Sequence, residues 1–157
     1  MRTLLLTKKD FNENNEYCGA EDLVEFGGNL EIDFNLGYVK FVKLSVKGYI
    51  FAKAGSGIEA GSGIEAGSGI EAGSGIVSLY SFIKAKIQII SNVKCTISAG
   101  IFSTEGAKDI EAQEIHGNII YGNKIVLEKK QDVLKRIIIG GEEKYITKEQ
   151  YDNLKFV

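Results

Sequence analysis

The chain has no proline, a single histidine, two cysteines and almost no excess of either charge. Each shortage removes a class of function. Nineteen basic side chains stand against 21 acidic ones, a net charge of −2. The cationic excess with which nucleic-acid binders displace counterions from phosphates is absent, so direct nucleic-acid binding is not expected. Cys18, Cys95 and His116 fall in none of the spacings that hold zinc. No metal and no other cofactor is expected. Cys95 occupies a position that the hydrophobic pattern turns inward, where a small buried thiol needs no chemical role. Long apolar runs are also missing. Leu4, Leu5 and Leu6 are too few for the core of a signal peptide, and no stretch approaches the roughly 20 residues of a membrane span. A cytoplasmic protein of one domain, not engaged with a membrane, is expected.

What is present is glycine in a strict order. Residues 54–77 read AGSGIE, AGSGIE, AGSGIE, AGSGIV, and eight of the 19 glycines lie between Gly55 and Gly75. A unit this short cannot bury a face of its own, so it must stack on its neighbours. The alternation of apolar and polar residues extends further. From Leu30 the even positions are mostly apolar or small (Leu30, Ile32, Phe34, Leu36, Tyr38, Val42, Leu44, Val46, Gly48, Ile50, Ala52), with Lys40 the exception. A period of two marks strands with one buried face, and a run of over fifty residues implies a chain that winds while keeping one side inward.

At Phe82–Ile83 the pattern changes parity, and Ile83, Ala85, Ile87, Ile89, Val93, Cys95, Ile97, Ala99 and Ile101 become the inward set. One extra residue at a bulge or corner would restore every side chain to its face. A polar loop over 105–109 and a last alternating stretch, Ile115, Ile119, Tyr121, Ile125 and Leu127, follow. The expected organisation is an N-terminal cap over 1–29, a β-solenoid over 30–128, and a C-terminal segment over 129–157. That last segment reads as a hairpin over 136–146 turning at Gly140-Gly141, then a short helix from Thr147 to about Lys155. Caps are needed because an uncovered solenoid end leaves strand edges unpaired.

The unit Ile58-Glu59-Ala60-Gly61-Ser62-Gly63 resembles the repeat of the hexapeptide β-helix family. The resemblance implies an all-β fold, a single-stranded, left-handed β-helix of about five coils, with three hexads to a triangular coil. Residues eighteen apart would then stack: Ile58 with Ile76, Val46 with Ile64 and Phe82, Leu44 with Ser62 and Tyr80. Ile, Ala and Ser would face inward. Many members of that family are acyltransferases with a histidine base, but His116 lies outside the perfect repeat at an outward position with no evident orienting partner. A bactofilin-like structural polymer is a second possibility. The tandem I-x-A-G-x-x arrangement is also similar to small uncharacterised proteins of bacteria and phages, which admits an inhibitor of a host defence protein.

Two surface features remain as candidate interaction sites. Glu59, Glu65 and Glu71 recur every six residues, and on a triangular coil they would point in three directions. Outward apolar bulk is expected at Val39, Phe41, Tyr49, Phe51, Val77 and Leu79. Exposed aromatics call for a cover, either a terminal cap or another chain. The expectation is a non-enzymatic binding protein that meets a protein partner or a second copy of itself through Phe41, Tyr49, Phe51, Val77, Leu79 and the three glutamates.

Overall fold

Isoleucine and alanine two positions apart make a strand with a buried face, and the Gly-Ser-Gly that follows makes a corner; the fold repeats this arrangement. The computed structural model of the protein describes residues 1–92 and 95–129, together with the strand backbones at 135–139 and 142–146 and the side chain of Tyr145. Among these, secondary structure is strand apart from one 3₁₀ turn, Lys8–Asp10. The first strand, β1 (Thr3–Leu6), precedes a long connection. After it come β2 (Asn29–Ile32), β3 (Gly37–Phe41) and β4 (Leu44–Val46), then β5 (Ile50–Ala52), β6 (Ser56–Ala60) and β7 (Ile64–Ala66). Next are β8 (Gly69–Ala72), β9 (Ile76–Ser78) and β10 (Ile83–Ala85), then β11 (Gln88–Ser91), β12 (Thr96–Ala99) and β13 (Asp109–Ala112). β14 (Glu114–His116), β15 (Asn118–Tyr121) and β16 (Asn123–Val126) complete the series.

From β2 onward, consecutive strands enter three different sheets in strict rotation. Sheet 1 is ordered β1-β2-β5-β8-β11-β14, sheet 2 is β3-β6-β9-β12-β15, and sheet 3 is β4-β7-β10-β13-β16. Every pairing within them is parallel, so the three ladders have the arrangement of a β-solenoid. Residues Met1–Leu127 form one compact unit and Glu128–Val157 a second. The second contains an antiparallel hairpin, β17 (Lys135–Ile139) with β18 (Glu142–Ile146), where the sequence places one. The helix expected from Thr147 and the turn at Gly140-Gly141 lie outside the described residues.

Inward side chains stack in columns. Leu30, Ile50, Ile70 and Ile89 form one in sheet 1, and Leu44, Ile64, Ile83 and Ile110 another in sheet 3. All are buried, each contributing about 1.5–3 kcal/mol. Glycine is needed where ladders press together. A Cβ on Gly73 would lie 2.6 Å from Ala54 Cα, and Gly55 has φ +77, which L side chains rarely adopt.

The eighteen-residue stacking holds for Ile58 on Ile76 but not along the whole chain. Leu44 stacks on Ile64 and Ile64 on Ile83, so Val46 meets Ala66, not Ile64 or Phe82, and Leu44 meets neither Ser62 nor Tyr80. The corners outside the perfect repeat hold extra residues, which lengthens the turn without moving the strands off their sheets. The same corners reverse parity earlier than expected. Phe34, Tyr38 and Val42 are exposed, whereas Val39 and Phe41, expected outward, are buried. Asn35, in left-handed backbone at φ 57, sits in the corner that causes the reversal, and Lys40 thereby becomes an ordinary outward residue. Past Ile83 the expected set is buried at Ile83, Ala85, Ile89, Ile97 and Ala99, while Ile87 and Ile101 lie exposed at corners. Cys95 is half-buried where a buried thiol was expected, and Val93 lies outside the described residues. Tyr121 and Ile125 are exposed on the last strands, and Ile110 and Ala112 enter the core beyond the polar loop.

Of the repeat serines, Ser56 shares the isoleucine face, and the other three do not. Ser56 is buried, Ser62 is exposed at a corner, and Ser68 and Ser74 are half-buried. Ser56 is held inside because its hydroxyl donates to the Asp33 carbonyl at 2.6 Å and accepts from the Leu36 amide at 3.0 Å.

Residues 1–29 finish the first edge of all three ladders. β1 pairs with β2, Glu16 bridges to Lys40 beside β3, and Phe26 bridges to Val46 beside β4. Phe11, Leu23 and Phe26 are buried beneath this segment. Edge amides that would otherwise template aggregation are thereby paired, as Phe26 N–H donates to Ser45 O and Lys40 N–H to Asn15 O.

Candidate functional site

Outward residues on each sheet form columns, because parallel in-register pairing places like positions one above another. On sheet 1 the central column runs Leu5, Glu31, Phe51, Glu71, Ile90, His116. On sheet 2 it runs Lys40, Glu59, Val77 and ends at Ser98, which is buried, and on sheet 3 it runs Ser45, Glu65, Lys84, Glu111. Glu59, Glu65 and Glu71 therefore belong to three different walls, as a spiral of hexads requires. They are not one acidic surface.

The aromatic candidates also separate. Phe41 is 6% exposed and packs edge-on against Phe11 at 6.0 Å and beside Tyr17 at 5.7 Å. Its cover is the N-terminal segment of the same chain, so it is not available to a partner. Tyr17 donates from its hydroxyl to the Glu21 carbonyl at 3.1 Å, and partial burial raises its pKa above the ordinary tyrosine value. Val77 and Leu79 remain half-buried on and after β9. Leu79 borders a groove of about 450 Å³ with Tyr17, Lys40, Phe41 and Glu59, where the N-terminal segment meets sheet 2.

Tyr49, Phe51 and Glu71 do come together, on sheet 1. They line a groove of about 380 Å³ with Ser68, Gly69, Ile87 and Gln88. A second groove, about 730 Å³, continues along the same wall past Ile90, Asn92 and His116, and Glu71 borders both. Tyr49 is fixed by its hydroxyl, which donates to Glu31 Oε1 at 2.9 Å and holds that carboxylate in the column. Gly69 gives the groove its floor: a side chain there would press on Gln88. The Glu71 carboxylate has no hydrogen bond or ion pair among the described residues. The strand residues of sheet 1 include Glu31, Glu71 and Glu114 and no lysine or arginine.

His116 ends the column, exposed, with Nε2 3.6 Å from Glu114 Oε2 on its own strand. It does have a carboxylate neighbour, contrary to expectation. Strand alternation explains the miss, since residues two apart share a face. The pair is open to solvent, and the buried hydroxyl among the residues lining that groove, Ser91, donates to the Ser74 carbonyl at 3.0 Å.

Ile87 and Ile90 were not among the candidates. Ile90 is out of parity with Ile89, a signal that was legible, whereas Ile87 turns out only because a corner intervenes. A second apolar group went unnoticed at the corner of sheets 2 and 3, where Tyr80 and Phe102 rings lie 6.0 Å apart near Val42. Among the described residues no three His, Cys, Asp or Glu side chains gather as metal ligands, and no helix is long and apolar enough to cross a membrane. No family model, curated protein or solved structure matches the chain.

Proposed function

We propose that the protein is a non-enzymatic binding module that presents the outer wall of sheet 1 to a protein partner. The observation that carries this reading is the pair of adjoining grooves joined at Glu71, with Tyr49, Phe51 and Ile90 along them. Aromatic and aliphatic side chains on a rigid wall supply binding energy without an ordering cost, because the ladder beneath already fixes the backbone. The same reading takes the ladders as about five turns of a left-handed hexapeptide-type β-helix, acting in the cytoplasm. An inhibitor of a host protein, of the kind that phages encode, is one concrete form of such a module.

The test is differential capture from bacterial lysate by the immobilised full chain and two variants. Phe51→Glu places a charge in the groove, and Glu65→Lys changes sheet 3 as a control. Proteins retained by wild type and Glu65→Lys but lost by Phe51→Glu are the expected result. Identical capture by all three would remove sheet 1 from the function.

A further inference from the structure

Resting on the docking role proposed for sheet 1, we infer that its occupant is an extended, basic segment of a partner protein, with one lysine or arginine seated on Glu71 between two apolar side chains. Three observations lead there. First, the charge on the strands of this wall has one sign, with Lys86 and the Lys53–Asp33 pair standing at its corners. Glu31, Glu71 and Glu114 stand on its strands, and none of those strands carries a lysine or arginine. Sheet 3 differs, because Lys84 there pairs with Glu111 at 3.2 Å. Second, Glu71 has no internal partner among the described residues, while Glu31 is already held by Tyr49. Its carboxylate is the free acceptor at the junction of the grooves.

Third, the neighbours of Glu71 in the column are apolar on both sides: Phe51 on one strand and Ile90 on the next. Ladder steps are about 4.8 Å, so Glu31 to His116 spans about 19 Å. An extended peptide rising about 3.3 Å per residue covers that distance in roughly six residues. Its alternate side chains are about 6.6 Å apart against the ladder step of about 4.8 Å, so the two that flank a basic residue on Glu71 would land within about 2 Å of Phe51 and Ile90. The pattern that fits is apolar-x-Lys/Arg-x-apolar.

The same wall disfavours two other occupants. A second copy docking by a twofold axis would set carboxylates against carboxylates. A nucleic acid would bring phosphates to Glu31, Glu71 and Glu114.

The experiment is selection of a displayed library of twelve-residue random peptides on the full chain, followed by affinity measurement of the best peptides against variants. The expected result is enrichment of the apolar-x-Lys/Arg-x-apolar pattern. Affinity should fall at least tenfold on Glu71→Lys, weaken with added salt, and remain unchanged on Glu65→Lys. Enriched peptides without a basic residue that still depend on Phe51 would overturn the basic occupant while leaving sheet 1 as a docking wall. Failure to enrich any peptide overturns the inference. So does binding indifferent to both Glu71→Lys and Phe51→Glu. A dimer by light scattering that Phe51→Glu dissolves, with no peptide enriched, would assign the wall to a second copy instead.

Discussion

Ser56 and Ser78 are both fully buried, yet the same substitution should move stability in opposite directions at the two sites. Ser78 lies in the inward column of sheet 2 between Ala60 and Ala99. Among the described residues its Oγ is the buried side-chain oxygen without a hydrogen-bond partner. Leaving a buried hydroxyl unsatisfied costs about 1–3 kcal/mol, and alanine removes the cost along with only one oxygen's worth of contact. Ser78→Ala should therefore stabilise by about 1–3 kcal/mol. For a chain of this size that raises Tm by roughly 2–12 °C. Ser56 is the reverse case, since its hydroxyl both donates to Asp33 O at 2.6 Å and accepts from Leu36 N at 3.0 Å. Ser56→Ala deprives both backbone groups of that partner and should destabilise by about 1–3 kcal/mol. Thermal melts and urea titrations by circular dichroism, with unchanged m-values, would measure the difference. If Ser78→Ala falls as far as Ser56→Ala, the assignment of Ser78 as an unsatisfied group inside a close-packed column is wrong.

Other perturbations test other layers of the fold. Ile70→Ala opens a cavity between Ile50 and Ile89 and should cost about 2–5 kcal/mol in the same titration. Successive repeat isoleucines occupy β6 on sheet 2, β7 on sheet 3, β8 on sheet 1 and β9 on sheet 2 again. Inserting three further AGSGIE units should keep one cooperative melt near the parental temperature, whereas inserting one unit moves every later strand to the wrong sheet and should lower Tm sharply. Tyr17 holds its proton more tightly when folded, because partial burial penalises the phenolate. Its contribution is intact below the unfolded tyrosine pKa and is lost as pH rises through the higher folded value. The absorbance titration of wild type minus Tyr17→Phe should have its midpoint above the ordinary tyrosine value, and a midpoint at or below it would contradict the packing of Tyr17 on Phe41.

A winding stack of strands was legible in the period-two run and the short repeat, and its three ladders in the resemblance of the hexad to the hexapeptide β-helix repeat. The distribution of Glu59, Glu65 and Glu71 over three walls follows from the same spacing. Exact stacking was not legible outside residues 54–77, because corner length is invisible to a period-two pattern. One extra residue between Ile32 and Val39 exchanges the fates of Tyr38 and Val39, and it turns Phe41 from a surface anchor into a buried residue. The site was read in part. Tyr49, Phe51 and Glu71, candidates in the sequence, share one groove, but Ile90 and Gly69 gain meaning only when β5, β8 and β11 are set side by side. Ladder neighbours are about twenty residues apart, and no local motif connects them.

Site-specific photo-cross-linking tests the docking wall most directly. A benzophenone amino acid placed in turn at Phe51 and Ile90 on sheet 1, Val77 on sheet 2 and Glu65 on sheet 3 would be irradiated in bacterial cells expressing the full chain. Discrete cross-linked species from positions 51 and 90, absent from 65 and 77 and abolished by Glu71→Lys in the same chain, are predicted. Cross-links from 65 or 77 alone, or none from 51 and 90, would contradict sheet 1 as the wall that the partner meets.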